Sequence, residues 1–515
     1  MLRYLISFFA LLVTLQAEDL YFTQSGSGSH NGTIGNPWSV TEANNPSNWG
    51  AGAGKVSPGD TIHVVGTITS NFSPQAGGTS GNPVTILFDS GANFTSPLWP
   101  SPYGAISFAD LSYITIDGGA TGMIGGYGAT GTSNGFIQNT ANGTGLAHQS
   151  DSVGIWMAGS SNIIIKNLVV KNLYVRAQND PPAGITLASA VHLLYYGGLS
   201  SYGNDLVTNC VFSDCGNGFD IDYNTTTNLE YSYCTAYNTN ICGWAGNHYN
   251  TSTLSGMHVH HCYFHDWKNW DDSIDSSHHD GFFTFCYLPS TGYAQNVTYD
   301  HNVIGPGFGA NATTGLFIQY QVKDALIYDN LFLVDSSGAP NNGCMYLNSY
   351  PSIGGVFRVY NNTAVGVGSG AMIDISGGDT YYVNNNVSSG LTTQVIVQYN
   401  ASVVYNGTNN FGYGLSGGSQ FAWSSTSAGV FYNIAGWQAL GAAFDANFNV
   451  SNPNLSGTYQ PNSGSPVIAA GVNNSAYFTT DLADATWTVP YGAGAYQNTG
   501  GGGGGGVSSM PRNNL

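Results

Sequence analysis

The stretch that decides the fold is TGLFIQYQVKDALIYDNLFLVDSSGAPNNGCMYLNSYPSIGGVFRVYNNT, residues 314–363. It contains the same unit twice. In each copy a short alternating strand follows a glycine, Gly315 or Gly343, and a second strand ends at an asparagine, Asn330 or Asn362. Alternation of apolar and polar residues predicts strands with one buried face. The stretch therefore predicts at least two strands per repeat and no helix between them.

This unit recurs along most of the chain. Successive copies of its closing residue are 43, 24, 28, 40, 28, 32 and 24 residues apart, so the short intervals are single coils and the two longest carry an inserted loop. Short strands that repeat without helices predict an all-β fold, a right-handed parallel β-helix (a solenoid) with an N-terminal cap and loop excursions. The closing residues are Asn167, Cys210, Cys234, Cys262, Asn302, Asn330, Asn362 and Asn386.

The recurring asparagines and cysteines predict a column of stacked side chains. Adjacent coils lie about 4.8 Å apart, so an amide side chain can bond the amides above and below it and pair turn groups that would otherwise be buried without partners. The cysteines replace this bonding by small apolar packing, with disulfides between coils as the alternative. After the coils, a short helix is expected around 436–446.

The N-terminal sequence MLRYLISFFALLVTLQA has the features of a signal peptide. Arg3 precedes an apolar run from Leu5 to Leu15, which is shorter than the roughly 20 residues of a membrane span. We therefore expect a secreted protein of the extracellular space or cell surface, with no membrane span. The formal net charge is −19 with only nine Lys and Arg, which argues against nucleic acid as a partner because phosphates require cations.

Segments at both ends resemble a known superfamily. LYFTQSGSGSHNGTIGNPW at 20–38, PGDTIHVVGTI at 58–68 and GTSGNPVTILFDSGA at 78–92 are similar to the N-terminal cap of secreted right-handed β-helix proteins of the pectate-lyase-like superfamily. NPNLSGTYQPNSGSPVIAAGV at 452–472 and VPYGAGAYQ at 489–497 resemble their closing segment, although the usual arginine is missing. The resemblance implies the β-helix fold. It leaves the activity open, since the architecture hosts lyases, hydrolases, epimerases and non-catalytic surface proteins.

The same segments suggest how the chain is organised, as one solenoid that grows along a single axis. Its parts are a signal peptide at 1–17, an N-terminal cap with the first coils at 18–110, β-helix coils at 111–415, C-terminal coils with the closing segment at 416–499, and a flexible glycine-rich tail at 500–515.

A candidate active site combines one strand with one loop. In the strand GFDIDYN, residues 218–224, alternation places Asp220 and Asp222 on the outer face about 7 Å apart. Residues 244–284 form the other part: seven of the twelve histidines fall between positions 248 and 279, among several acidic residues. This segment is expected to overhang the outer face, although a solvated structural loop would also explain it. The candidate catalytic residues are Asp220, Asp222, His279, Asp280 and Lys268.

The outer face of the other coils is polar and aromatic, which favours a polysaccharide as the ligand. Amides and carboxylates bond hydroxyl groups, and aromatic rings pack against sugar rings. The candidate binding residues are His192, Trp244, His248, Trp270, Gln319, Gln321, Tyr346, Asn348 and Asp374. Carboxylates in the loop could hold Ca²⁺ through their oxygens, the candidate ligands being Asp271, Asp272 and Asp275.

Three functions remain open from the sequence. Hydrolysis needs two carboxylates at a suitable separation, but the Gly-His-Gly and Arg-x-Lys motifs of the polygalacturonase-type hydrolases are absent. Elimination from a uronate needs a base and a cation or Ca²⁺, and an acidic groove repels a polyanion, which favours a neutral glycan. The alternative to both is a non-catalytic adhesin or structural solenoid that binds glycans.

On the strand that ends at Cys262, the histidines are expected to divide between two faces. Alternation places His258 and His260 on one face and His261 on the opposite one.

Overall fold

The computed structural model is an almost all-β molecule, a right-handed parallel β-helix, as the repeat predicts. Its only α-helices in the described ranges are Val40–Ala43 and Ile434–Gln438, with a 3₁₀ turn at Pro46–Asn48. The structure describes residues 17–141, 152–173, 188–195, 202–247, 251–267, 278–286, 291–309, 312–338, 340–349, 352–367, 370–398, 403–415, 421–423 and 430–497.

One face of the solenoid is a sheet of 15 strands, here called the first sheet. All of its strand pairings are parallel, each strand pairing with its counterpart in the next coil. In order of pairing, its strands are Trp38–Ser39, Asp19–Thr23, Thr61–Val64, Val84–Phe88, Ser112–Asp117, Ser161–Lys166, Tyr202–Thr208, Thr226–Ser232, Thr253–His260, Val297–Asp300, Asp324–Tyr328, Val356–Tyr360, Thr380–Asn384 and Val404–Thr408, with Tyr293–Gln295 pairing beside Thr253–His260.

A second stack of short parallel strands follows the first sheet across a tight turn. Its strands are Thr67–Ile68, Asn93–Ser96, Phe136–Asn139, Val169–Lys171, Tyr263–His265, Val303–Ile304, Leu331–Val334, Thr363–Gly366, Val387–Ser389 and Phe411–Tyr413. Two long strands, Val211–Tyr223 and Thr235–Asn247, belong to this stack at their beginning and to the next one at their end.

The third stack completes each coil and carries the candidate site. Besides the ends of the two long strands it comprises Ser152–Ala158, Ala188–Leu194, Asp280–Cys286, Thr314–Tyr320, Met345–Asn348, Ala371–Ser376, Thr393–Gln398 and Phe421–Trp423, the last pairing antiparallel with Val430–Tyr432. The remaining strands are Ile106–Ala109 and the antiparallel pair Ala120–Thr121 and Thr132–Ser133.

The alternation predicted for residues 218–224 is confirmed. Phe219, Ile221 and Tyr223 are buried in the core, whereas the side chain of Asp222 is 25% exposed. Asp220 shares the outer face but is only 2% exposed. The sequence therefore gives its direction correctly, whereas its burial depends on neighbouring coils.

A column of asparagines runs through the interior, as the repeat predicts. Each Nδ2 donates to the Oδ1 of the next asparagine at 2.9–3.1 Å. Each Oδ1 also accepts the backbone N–H of the preceding column residue at 2.8–3.1 Å. The column comprises Asn302, Asn330, Asn362, Asn386 and Asn410. Because these amides are almost fully buried and bonded in both directions, they fix the register between coils.

The asparagine column ends in different ways toward the C-terminus and toward the N-terminus of the solenoid. Asn410 donates to Asp445 Oδ1 at 2.6 Å, and Asp445 also accepts from Tyr405 and Trp437 beneath the C-terminal helix. That helix, expected around 436–446, begins at Ile434 and ends at Gln438. Toward the N-terminus the column continues through the cysteines. None of the seven cysteines, all of which lie in the described ranges, forms a disulfide.

The prediction for Asn167 is wrong by one residue. Val169 pairs with Val211, so the buried Leu168 occupies the column position that Cys210 occupies in the next coil. Asn167 belongs instead to an outer series of residues with left-handed backbone, φ 50–61°, one position before the column. This series, called the turn file, comprises Asn167, Asn209, Tyr233, His261, His301, Asp329, Asn361, Asn385 and Asn409.

The closing segment of the chain, residues 452–497, runs back along the turn file. Asn409 donates to the carbonyl of Ala470, Asn385 to that of Val472, and Asn361 to that of Gly492. Within the described residues, no helix is long and apolar enough to span a membrane.

Replacing Asn362 by alanine should destabilise the solenoid by about 3 kcal/mol or more. The change removes the acceptor for the backbone N–H and Nδ2 of Asn330 and leaves the carbonyl of Ile327 without its donor, and each such buried group costs about 1–3 kcal/mol. Urea unfolding monitored by circular dichroism measures the difference. The exposed Asn341→Ala is the matched control, and equal midpoints for the two variants would contradict a role for the column.

Candidate functional site

The outer surface of the third stack, here called the groove face, carries two side-by-side series of side chains. The strand register fixes both, because each residue lies directly beside its partner in the next coil. The first series is Trp156, His192, Asp220, Trp244, Phe283, Phe317, Tyr346 and Asp374. The second is Asp222, Gly246, Phe285, Gln319, Asn348 and Ser376.

Two carboxylates and one histidine meet at one place on this face. His192 Nε2 lies 3.0 Å from Asp222 Oδ2. His192 also lies beside Asp220 in the register of adjacent strands. Asp220 and Asp222 are two residues apart on one strand, which separates them by about 7 Å. The predicted residues His192, Asp220 and Asp222 therefore form one cluster.

Two further residues orient Asp220, and the sequence did not single them out. Ser189 Oγ donates to Asp220 Oδ2 at 2.7 Å, and Asn217 Nδ2 donates to the same oxygen at 3.2 Å. Asp220 Oδ1 is buried and has no hydrogen-bond partner within the described part of the chain. One oxygen is thus held in place while the other remains available.

The environment shifts the pKa values of this cluster. Burial raises the pKa of Asp220, and the nearby carboxylate of Asp222 adds to this, although His192 acts in the opposite direction. Burial alone would lower the pKa of His192, but Asp220 and Asp222 raise it above its usual value of 6.5. The pKa values of both Asp220 and His192 are therefore raised above their ordinary values.

An aromatic track continues from the carboxylates along the groove face. Trp244 lies 5.4 Å from Phe285 between ring centroids, Phe283 stacks on Phe317 at 4.5 Å, and Phe317 contacts Tyr346 at 4.9 Å. The rings of Trp244, Phe285 and Tyr346 remain partly exposed. Flat apolar rings beside amides and carboxylates suit a ligand with both apolar faces and hydroxyl groups.

The structure separates Asp280 and His279 from the carboxylate pair. The strand that begins at Asp280 lies two coils from Asp220, about 10 Å along the solenoid. Asp280 is fully buried and accepts the backbone N–H of Thr314 at 3.1 Å, and burial raises its pKa well above the ordinary value. His279 is also buried, and its backbone pairs with Thr313. Both residues hold the beginning of the strand Asp280–Cys286 to the next coil.

The other predicted residues divide into two groups. Gln319, Tyr346, Asn348 and Asp374 lie on the groove face, whereas Gln321 follows the strand end at Tyr320, whose φ is 67°, and leaves the series. Several predicted residues lie outside the described residues, so their roles remain predictions: Lys268, His248, Trp270, Asp271, Asp272 and Asp275.

The expectation for the neighbouring histidines is partly wrong. His258 and His260 share a face, and their rings stack at 4.1 Å. His261 does not point to the opposite side, because its left-handed backbone, φ 54°, turns the chain there. Its Nδ1 instead lies 2.8 Å from Nδ1 of His260. Alternation fails at this residue because the strand has already ended.

No family model matches this chain, and no curated protein matches it in sequence. Its fold is similar to that of a lacto-N-biosidase of glycoside hydrolase family 136 from Eubacterium ramulus, with 12% identity over 72% of the chain and a TM-score of 0.46. The chain spans 64% of that enzyme's length. It is also similar to a rhamnogalacturonan lyase, with 15% identity, 72% and 87% of the two chains covered and a TM-score of 0.45. Pectate lyase Pel9A has 14% identity, coverage of 94% and 97% and a TM-score of 0.41.

The pKa of His192 should fall when Asp222 is replaced by asparagine, because the carboxylate that raises it is removed while burial remains. The imidazole resonance of His192, assigned by its loss in His192→Gln, reports the titration by NMR. Since the folded pKa is raised, the stability that protonated His192 contributes is complete below its unfolded pKa and is lost as the pH rises through the folded pKa. An unchanged titration in Asp222→Asn would contradict the coupling.

Asp374→Asn is the control for this titration. Asp374 is a buried carboxylate in the same series, six coils along the groove face and about 29 Å from His192. This is beyond the Debye length of about 8–10 Å at physiological ionic strength, so the His192 resonance should titrate as in the unmodified protein.

Proposed function

We propose that this chain is an extracellular carbohydrate-active protein that binds a polysaccharide along the groove face and hydrolyses it. The observation that carries the proposal is the cluster of His192, Asp220 and Asp222 at one end of an aromatic track. The cluster provides acid–base groups, and the track provides an elongated surface for several sugar units.

The two carboxylates suit the two roles of hydrolysis. Asp220, whose pKa burial raises, serves as the general acid that protonates the glycosidic oxygen. Asp222, with its side chain 25% exposed, serves as the base that takes a proton from water. Alternate residues of one strand lie about 7 Å apart along the backbone, a spacing compatible with the range of about 6.5–9.5 Å between carboxyl groups that is typical of inverting enzymes. His192 orients Asp222 through its Nε2.

A neutral glycan suits this face better than a polyanion. The chain carries a net charge of −19, so the protein repels a polyuronate. The partly exposed rings of Trp244, Phe285 and Tyr346 offer apolar contact to sugar rings, and the amides of Gln319 and Asn348 can bond hydroxyl groups.

Elimination is the second mechanism and would use side chains of residues 268–275, which lie outside the described residues. Lys268 would serve as the base, and Asp271, Asp272 and Asp275 would hold Ca²⁺ against a uronate. Elimination predicts an unsaturated product that absorbs in the ultraviolet and an activity that a chelator abolishes. Hydrolysis predicts neither.

Replacing Asp220 or Asp222 by asparagine should lower the rate of glycan cleavage by about 10²–10⁴-fold, the usual contribution of a general acid or base. Reducing ends released from a panel of neutral and acidic polysaccharides measure the rate. NMR of the first product gives its anomeric configuration, which should be inverted.

Asp324→Asn is the matched control for this experiment. Asp324 lies on the first sheet, away from the groove face, and is partly exposed. The Asp324→Asn variant should cleave the glycan at the rate of the unmodified protein. Binding by the unmodified protein without cleavage of any member of the panel would instead identify a non-catalytic adhesin or structural solenoid.

Export of the chain is part of the proposal and is tested separately. The leader sequence of residues 1–17 supports it. When the full chain is expressed in a secreting host, mass spectrometry should find the protein in the medium with its N-terminus near Glu18. Intact protein retained in the cells with Met1 present would contradict export.

A further inference from the structure

A second cluster of ionisable side chains lies on the turn file, away from the groove face. His261 and His301 occupy adjacent positions of this file, and their rings stack at 4.7 Å with an interplanar angle of 13°. Asp484, in the closing segment, faces them: its Oδ1 lies 3.1 Å from His261 Nε2. One ligand atom from each of the three residues lies within 4.8 Å of the other two.

The hydrogen bonds around His301 leave one nitrogen unused. His301 Nδ1 lies 2.6 Å from Asp300 Oδ2, and the other oxygen of Asp300 bonds His258 Nε2 at 2.5 Å. His301 Nε2 is buried and has no hydrogen-bond partner among the residues that the structure describes. The side chain of His301 is only 3% exposed, so water does not readily replace the missing partner.

The hydrogen bonds around a neutral His261 also leave its Nε2 without a proton, so that this nitrogen presents a lone pair. Glu230 can only accept, so His260 Nε2 donates to it at 3.2 Å. The other nitrogen of a neutral His260 then accepts, at 2.8 Å, the proton on His261 Nδ1. When His261 is also neutral, its Nε2 faces the carboxylate of Asp484 as one acceptor facing another. A cation between the two groups would satisfy both.

We propose that His261, His301 and Asp484 bind a divalent transition-metal ion, zinc being the best match. Two imidazole nitrogens and one carboxylate oxygen form a typical zinc ligand set, and three protein ligands leave a fourth position for solvent. Calcium prefers six to eight oxygens and does not suit this set.

The surroundings of the three ligands fit the same assignment. A metal-binding histidine usually donates its second nitrogen to a carboxylate or another acceptor, which fixes the orientation of its ring. Asp300 serves His301 in this way, and His260 serves His261. Asp481, the nearby alternative, has both oxygens occupied by backbone N–H groups of the closing segment.

The ion would link two parts of the chain that are 223 residues apart. Elsewhere the closing segment is held to the turn file by amide hydrogen bonds, such as the two that join the side chain of Asn385 to the backbone of Val472. The proposed ion therefore fastens the closing segment at the middle of the solenoid. This assignment does not depend on the proposed glycan activity.

Metal titration of the full chain tests the proposal. The protein is stripped with a chelator, dialysed and titrated with Zn²⁺ by calorimetry in the presence of excess Ca²⁺, which occupies any oxygen-only site. We expect one Zn²⁺ per chain and a higher Tm with Zn²⁺, since an ion that binds only the folded chain stabilises it. Co²⁺ should bind at the same stoichiometry and give a visible absorption spectrum typical of nitrogen and oxygen ligands.

Asp484→Asn is the informative variant, because the side chain of Asp484 is 64% exposed and asparagine also accepts the left-handed backbone found there, φ 60°. It should bind Zn²⁺ at least tenfold more weakly and lose most of the Tm increase. Asp266→Asn is the matched control: Asp266 is 59% exposed and forms a histidine–aspartate pair with His265 at 2.6 Å, outside the cluster. Absence of stoichiometric Zn²⁺ binding in the unmodified protein, or equal affinity in Asp484→Asn and Asp266→Asn, would overturn the assignment.

Discussion

The asparagine column is the interaction on which the rest of the structure depends. The turns that carry the column asparagines bury backbone groups that the strand ladders do not pair. The column pairs them: Asn362, for example, receives the backbone N–H of Asn330 and donates to two carbonyls and to Asn386. Because each amide is bonded above and below, the register of one coil sets the register of the next. A slip of one residue would turn the outer face inward.

Fixed register is what makes a site out of separate coils. His192 and Asp220 come from adjacent strands and meet because their coils are aligned. The same alignment places Trp244, Phe283 and Phe317 beside one another as a continuous track. Burial in this stacked environment, rather than the strand sequence itself, raises the pKa of Asp220. In the coils of His192, Asp220 and Trp244 the column position holds Leu168, Cys210 and Cys234, so strand pairing rather than amide bonding aligns these residues.

The turn file has a complementary role on the opposite side of the same turn. Its residues adopt left-handed backbone so that the column residue that follows can point inward. Their own side chains then face outward, where Asn361, Asn385 and Asn409 bind the closing segment. Asparagine suits this position because it tolerates the conformation and offers both a donor and an acceptor. At His261 and His301 the turn file instead presents imidazoles, whose nitrogens can bind a metal ion as well as form hydrogen bonds.

Part of the fold and of the site can be predicted from sequence, and part cannot. Period-two alternation identified the strands and the outward direction of Asp222, and the recurring asparagines identified the column, because both patterns are local consequences of stacking. The misplacement of Asn167 arose because two adjacent positions of one turn both favour asparagine, for different reasons. Ser189 gave no signal, since only the pairing of neighbouring coils brings it to Asp220. Asn217 precedes Asp220 by three residues on the same strand, and the alternation pattern does not reveal this bond.

By itself, the sequence determined that this chain coils, which residues point inward, and that carboxylates and aromatic rings share its outer face. These features follow from alternation and from a repeat that each coil carries within itself. Only the tertiary structure decided which of the acidic residues meet. It separated Asp280 from Asp220 by two coils, and it brought Asp484 to His261 across 223 residues. The physical reason is that the path of the closing segment depends on what the assembled turn file offers it, and no local pattern in the chain encodes that distance.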